Sequence, residues 1–284
     1  MSAQAIKTNR ISFQGENGAN SDMACRNMFP KMEPMPCATF EDALNAVETG
    51  KADLAMIAID NTIAGRVADI HHLLPVSKLH IVGEYFLPIH FQLMVLKGVK
   101  MADIKSVHSH VHALGQCRKI IRKHRWKAVV EGDTAGAARI VSESGSRTMA
   151  ALAPRLAADM YNLEIIDENV EDSDNNVTRF VVLSKDKTFA SRKSAKDVMM
   201  TTIIFNVRNV PAALYKAMGG FATNGVNMTK LESYQLGGEF TATQFYADIE
   251  GHPEDKNVAL ALEELAFFST QVRILGVYPQ AKSR

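Results

Sequence analysis

The sequence predicts an α/β domain followed by a ferredoxin-like βαββαβ unit. Three observations carry this. Short apolar runs alternate with helix-spaced patterns from Ile11 to Leu183, the signature of strands and helices in turn. One of those runs, Leu54–Ile59, has no polar alternation, as expected of a strand buried on both faces in a parallel sheet. Beyond a polar stretch at 184–198 the order becomes strand, helix, strand, strand, helix, strand.

In chain order, Ile11–Phe13 is a strand opening through the turn Gly15-Glu16-Asn17-Gly18 into a helix from Ser21. Phe40–Thr49 sets Phe40, Ala43, Leu44 and Val47 on one helical face, and Gly50 is its stop. The buried strand Leu54–Ile59 leads directly into Asp60-Asn61-Thr62. Ligands of open α/β sheets bind beyond the carboxyl ends of strands. The triplet is therefore either part of a site or the N-cap of a following helix. Leu79–Gly83 and His90–Leu96 are strands. A helix begins within Ser109-His110-Val111-His112-Ala113-Leu114 and runs to about His124. Val129–Glu131 is a strand and Asp133-Thr134 opens a helix. Met149–Leu152 reads as a strand and Pro154–Tyr161 as a helix, and Ile165-Ile166 leads toward a loop. An acidic loop, Glu171–Asn176, precedes the strand Thr178–Leu183.

Ser184–Val198, with Lys185, Lys187, Arg192, Lys193 and Lys196, reads as a linker. Thr201–Val207 is a strand, and Pro211–Thr223 is a helix with Pro211 near its first position. Val226–Ser233 is a strand, Gly237-Gly238 a hairpin turn and Glu239–Ile249 a long strand. Glu254–Phe268 is a helix and Val272–Val277 the last strand.

A hydrophobic fraction of 46% and a charged fraction of 22% exclude a disordered chain of this length, 284 residues. Thirty-two basic against 31 acidic residues leave a net charge of +1, so no global field draws the chain to nucleic acid or membrane. Cys25, Cys37 and Cys117 lack metal-ligand spacing and read as reduced thiols. The opening MSAQAIKTNR has no apolar h-region and no run nears the roughly 20 residues that span a bilayer, so a cytoplasmic protein is expected.

His108, His110 and His112 alternate, and on a strand they would share a face as a metal site requires. No Cys, Asp or Glu completes the set nearby and the helix starts inside the run, so ligand-facing or solvated imidazoles are expected, without metal. The basic run Arg118–Lys127 reads as the solvated face and C-terminus of a helix. Dinucleotide, Walker, nucleophile-elbow and HExxH patterns are absent.

Asn176-Val177-Thr178-Arg179-Phe180 resembles the N-x-T-R-F signature of prephenate dehydratases. Ile59–Gly65, IDNTIAG, resembles that family's IENSxxG, and Ser109–Leu114, SHVHAL, its SHPQAL. Asp133-Thr134-Ala135 is similar to its STA, and FQGENGANS, from Phe13 to Ser21, to its FxGPxGTxS. Pro211–Leu214 stands where the family has the GAL segment of an ACT domain, and Leu231-Glu232-Ser233 where it has ESRP. The resemblance spans nearly the whole chain. Thr62 replaces a serine, Asp60 a glutamate, Val111-His112 a Pro-Gln pair, Asp133 a serine, and Tyr234-Gln235 an Arg-Pro pair.

The resemblance implies a two-lobed, periplasmic-binding-protein-like catalytic domain over 10–184, crossing between lobes near 85–90 and near 165. It implies a linker at 185–199 and an ACT regulatory domain at 200–279. No chorismate mutase segment precedes residue 10, so a monofunctional enzyme is expected. The implied reaction converts prephenate to phenylpyruvate, water and carbon dioxide in phenylalanine biosynthesis. Aromatisation drives it, so no cofactor or metal is expected. The implied catalytic residues are Thr178, Arg179, Asn61, Thr62, Ser109 and Thr134, with Asn176, Phe180, Gly15 and Ser21 binding substrate. Arg179 would orient a carboxylate or hold Asp172 in an ion pair. L-Phenylalanine would bind as inhibitor at Pro211, Ala212, Ala213, Leu214, Asn227, Met228, Glu232 and Ser233, in a homodimer or homotetramer. The alternatives are an arogenate dehydratase and a non-catalytic amino-acid-binding regulatory protein. A DNA-binding regulator is disfavoured by the absence of a helix-turn-helix pattern.

Overall fold

The computed structural model describes residues 8–192, 198–208, 210–235 and 242–282. Among them no helix is long and apolar enough to cross a membrane. The chain divides into two compact units, one of residues 1–74 and 85–180 and one of residues 75–84 and 181–284.

The first unit begins with β1 (Arg10–Gln14), α1 (Asn20–Met28), β2 (Glu33–Cys37), α2 (Phe40–Glu48) and β3 (Leu54–Asn61). β1 runs parallel to β2 and to β3. Thr39 caps α2 by accepting the Asp42 N–H, and Gly50 ends it at φ +77°. Ala55, Met56, Ile57 and Ile59 are all fully buried, so β3 is covered on both faces as expected.

Pro34 and Pro36 argue against a strand at β2, yet one forms. Glu33 donates its N–H to the Asn9 carbonyl and Cys37 accepts from Gly15, so the odd-numbered residues face β1. Both prolines therefore face the open edge, where the ladder needs no donor. Two short elements were also unforeseen: β4 (Gly65–Arg66), antiparallel to β3, and α3 (Ala68–Leu73). α3 is capped by Val67, so Asp60-Asn61-Thr62 is not a helix cap.

β5 (His80–Pro88) belongs to the second unit in its first half and to the first unit from Tyr85 onward. A second sheet follows, from β6 (Gln92–Val95), β7 (Ser106–Ser109), α4 (Val111–Gln116), α5 (Arg118–His124), β8 (Lys127–Val130), α6 (Thr134–Ser144), β9 (Met149–Ala153), α7 (Arg155–Met160) and β10 (Glu164–Asp167). Its strand order is β10-β6-β9-β7-β8, with β7 parallel to both neighbours. β11 (Val177–Ser184) then returns to lie beside β3. The first unit is thus a two-lobed α/β body of the periplasmic-binding-protein-like class.

The single helix expected to run to His124 is broken at Cys117, where φ is −119° and ψ 31°. The cause is distant in sequence. The Asp172 carboxylate accepts the backbone N–H groups of Arg118 and Lys119 at 3.0 Å, capping α5 as a separate helix.

The second unit contains β12 (Met199–Val207), α8 (Ala213–Thr223), β13 (Met228–Gln235), β14 (Ala242–Glu250), α9 (Lys256–Phe268) and β15 (Ser269–Pro279), the expected βαββαβ order. The strands run β13-β14-β12-β15, with β5 joining through Gly276 opposite Ile81. Ile203, Phe205, Phe221, Val258 and Leu265 fill the core between sheet and helices. Each such side chain contributes about 1.5–3 kcal/mol by leaving water. α8 starts two residues later than expected. Its cap is Ala212 in the left-handed region (φ +59°), and Pro211 lies outside the helix. The Gly237-Gly238 turn lies outside the described residues.

Candidate active site

The carboxyl ends of the parallel strands β1, β3, β7 and β8 lead into one cavity of the first unit, about 550 Å³ in volume. Gln14 and Gly15 follow or end β1, Asn61 ends β3, His110 follows β7, and Gly132 and Asp133 follow β8. This is where open parallel sheets hold ligands.

Asn61 organises the floor. Its Oδ1 accepts the N–H groups of Ile63 and Ala64 at 3.0 and 2.8 Å, which fixes the amide orientation. Nδ2 then donates to Asn176 Oδ1 at 2.7 Å and to Thr178 Oγ1 at 2.9 Å. Asn176 in turn donates through Nδ2 to Gln116 Oε1. Gln116 thereby turns its Oε1 toward Asn176 and keeps both Nε2 N–H donors for other partners. Thr178 likewise keeps its own proton. Two backbone N–H groups thus set the polarity of a four-residue chain that presents donors at Thr178 and Gln116, both lining the cavity.

Of the residues expected from sequence, Thr178, Asn61, Thr134, Asn176, Phe180, Gly15 and Ser21 line the cavity. Thr62 does not. Its hydroxyl donates to Asn175 O at 2.7 Å and accepts from Val177 N at 2.9 Å, clamping the segment that delivers Thr178. Ser109 is fully buried and spends its proton on Leu152 O at 2.6 Å. Arg179 is only 5% exposed and does not line the cavity. Its guanidinium lies 3.8 Å from Asp60 and 6.0 Å from the centre of the Phe86 ring. The alternative pairing of Arg179 with Asp172 is corrected, since Asp172 caps α5.

Gln116, Arg66, His110, His112 and Asp133 line the cavity without having been singled out as site residues. Gln116 lies four residues after His112 and three after Ala113 on α4, so the helical spacing of the lining residues was the available signal. Arg66 is the one arginine or lysine of the lining among the described residues.

Burial, then His112, lower the His110 pKa, against the pull of Asp133, so the ring favours its neutral form. Burial raises the carboxyl of Asp133, opposed by the Gly136 N–H that it accepts while capping α6. The histidine run is therefore divided: His110 and His112 face the cavity, while His108 turns to Glu131. Among the described residues no group of His, Cys, Asp and Glu is arranged to hold a metal.

The loop after β1 closes onto the second sheet's helices. Arg139 of α6 donates to both Glu16 oxygens at 2.7 and 3.0 Å, and this pairing lowers the Glu16 pKa. Tyr161 donates to Asn17 O at 2.8 Å. Gly18, at φ +87°, packs so closely that a Cβ would come within 2.9 Å of the Ala157 Cα.

In the second unit, Ala212 caps α8 and Ala213 and Leu214 begin it. Asn227 donates to Glu250 at 3.0 Å, Lys230 reaches Glu232 at 3.3 Å, and Met228 and Ser233 lie on β13.

Residues 11–188 match the family described as Prephenate dehydratase. A bifunctional N-acyl-homoserine lactone acylase/prephenate dehydratase of Komagataeibacter europaeus is 50% identical over 96% of this chain and 97% of its own length. Arogenate dehydratase/prephenate dehydratase 1 of Arabidopsis thaliana is 36% identical over 95% of this chain and 72% of its own. A solved prephenate dehydratase from Arthrobacter aurescens in complex with L-Phe superposes with a TM-score of 0.88 at 30% identity, covering 97% of this chain and 91% of that one.

Proposed function

This chain belongs to the prephenate dehydratase family, and from that premise we propose that it converts prephenate to phenylpyruvate, water and carbon dioxide in phenylalanine biosynthesis in the cytoplasm. The observation that carries this reading is the fixed polarity of the Asn61 chain, which ends in donors at Thr178 and Gln116. The substrate is a dicarboxylate whose ring hydroxyl leaves as the ring carboxylate is lost, and aromatisation supplies the driving force. Thr178 donates to the departing hydroxyl. A threonine hydroxyl is a weak acid, so it acts by orientation and hydrogen bonding that strengthens as charge develops. Gln116, Arg66 and the N-terminus of α6 at Thr134 receive the carboxylates. Phe180, Phe40 and Phe91 supply an apolar wall for the ring. Thr62, Ser109 and Arg179 act through the residues they hold.

Residues 200–279 are read as an ACT domain that takes L-phenylalanine between Pro211–Leu214 and Asn227–Ser233, in a homodimer or homotetramer. The relative solved with L-Phe supports this. Bound effector shifts the cavity by the difference in its affinity for two states, about 1–3 kcal/mol. A cleft ligand then weakens phenylalanine binding by the same factor.

The same donors also suit arogenate, which carries an amine in place of the keto group, and relatives bear that name. Steady-state kinetics with prephenate and arogenate side by side test the reading. Higher kcat/KM for prephenate supports it, preference for arogenate moves the substrate, and turnover of neither overturns it. A second reading, amide hydrolysis of N-acyl-homoserine lactones, is favoured by the 50% identity to the bifunctional relative. Release of homoserine lactone from such a substrate tests that reading.

A further inference from the structure

We propose that Ser106, His108 and Glu131 form a second catalytic centre, a serine nucleophile relay for hydrolysis of short-chain acyl esters and amides. The geometry is that of nucleophile, base and orienting acid. Ser106 Oγ lies 3.0 Å from His108 Nε2, and His108 Nδ1 lies 2.8 Å from Glu131 Oε1. A carboxylate accepts the Nδ1 proton, which leaves Nε2 bare to take the serine proton.

Ser106 differs from other serines of the chain in where its proton goes. Ser12, Ser109 and Ser142 donate to the carbonyls of Ala43, Leu152 and Tyr161. Among the described residues, the one hydrogen bond of Ser106 Oγ is to the imidazole. A histidine kept for packing needs one acceptor, whereas His108 has a carboxylate on one nitrogen and a hydroxyl on the other.

Backbone pairing positions all three groups. Ser106 and His108 are two apart on β7 and share a face. Glu131 directly follows β8, which runs parallel to β7, and its N–H donates to Ser109 O at 2.9 Å. Lys127 is the register partner of Ser106 on β8, so it stands on the same face. It is exposed and brings a cation beside the position where an oxyanion would form. Ser106 is half-buried, and none of the three relay residues lines the cavity already described. His110, four residues on, does, so strand geometry sets Ser106 about 13 Å back from it.

In the reaction, Ser106 Oγ bonds to the acyl carbon as its proton passes to His108 Nε2. The bond from that carbon to the leaving oxygen or nitrogen breaks, and the same proton goes to the leaving alcohol or amine. Water then attacks the acyl-serine, His108 takes its proton and returns it to Oγ, and the carboxylic acid departs. The net change is ester or amide plus water to acid plus alcohol or amine.

The inference goes beyond the dehydratase reading and gives the acylase reading a candidate centre. The test uses the full chain and its Ser106→Ala and Glu131→Gln variants. Each is treated with a fluorophosphonate probe and peptide-mapped, and assayed on p-nitrophenyl butyrate, N-hexanoyl-homoserine lactone and prephenate. The expected result is one adduct, on Ser106, and ester turnover lost by at least about a hundredfold in both variants. Prephenate turnover stays unchanged in Ser106→Ala, which keeps fold and relay apart. An adduct elsewhere, or ester turnover that survives Ser106→Ala, overturns the proposal. Lactone cleavage that persists in Ser106→Ala overturns the relay and leaves the acylase reading standing. Ester turnover that depends on Ser106 without lactone cleavage keeps the relay and removes the acylase reading. No labelling and no hydrolysis by the parent chain overturns both.

Discussion

Replacing Asn61 by aspartate changes one NH2 group into an oxygen and leaves the shape of the side chain intact. In the parent, Nδ2 faces three acceptors, Asn176 Oδ1 at 2.7 Å, Thr178 Oγ1 at 2.9 Å and Val177 O at 3.3 Å. A carboxylate there turns donation into repulsion. Thr178 can turn its proton toward the new oxygen and Val177 O keeps the Thr62 N–H at 3.0 Å, but Asn176 Oδ1 is left facing an acceptor. At about 1–3 kcal/mol for an unsatisfied buried group, Asn61→Asp costs about 1–3 kcal/mol of stability. The catalytic loss is separate. Once Thr178 donates to the new carboxylate it no longer donates to substrate, and loss of one such donor lowers kcat by about 10²–10³. Urea denaturation reads the first effect and steady-state turnover of prephenate the second. Protonating the new carboxylate gives it back one O–H donor. Acidification therefore returns one donor, and the ratio of variant to parent kcat rises as pH falls. A kcat within about threefold of the parent, about 0.65 kcal/mol of barrier, would refute the argued polarity of the chain.

Thr178→Ala should lower turnover of prephenate by about 10²-fold with the fold intact by circular dichroism, and Thr178→Ser should keep more of it, because the donor stays. Burial raises the Asp133 carboxyl, so the folded state holds its proton longer than the unfolded chain. Its contribution is present at acid pH and is lost as pH rises from about 4 through the raised value. Asp133→Asn keeps the cap on Gly136, so urea midpoints measured across that window should fall less steeply with pH than in the parent. Gly18→Ala meets both the positive φ and the Ala157 backbone, and should lower thermal stability by about 1–3 kcal/mol. An unchanged melting temperature would show that the loop after β1 is not held against α7.

Elements that carried both periodicity and a boundary signal were legible in the sequence. β3 reads as buried because Ala55, Met56 and Ile57 are consecutive and apolar, and all are fully buried. α6 reads from Asp133, whose side chain does cap it. What escaped depended on distant partners. The break at Cys117 is set by Asp172, and nothing local announces it. β2 escaped because its prolines count against a strand unless the free edge is known. In the cavity, motif matching found Asn61, Asn176 and Thr178 but could not tell which hydroxyls face inward. Ser109 and Thr62 sit in matched segments, yet their protons go to main-chain carbonyls. Arg66 and Gln116 lie just beyond the segments compared, and only the end of β3 and the face of α4 bring them to the lining.

The prolines of β2 also bear on how copies of the chain can meet. β2 closes one end of the strand order among the described residues. An uncovered strand margin ordinarily recruits a strand from another molecule, the first step toward aggregates. Here Pro34 and Pro36 leave the outward positions with carbonyls and no N–H, so an incoming strand finds acceptors without donors at successive rungs. Self-assembly by sheet extension is blocked at this margin at no cost to the β1 ladder. Pro34→Val together with Pro36→Thr should restore the missing donors and give a protein that folds as before but shows concentration-dependent light scattering.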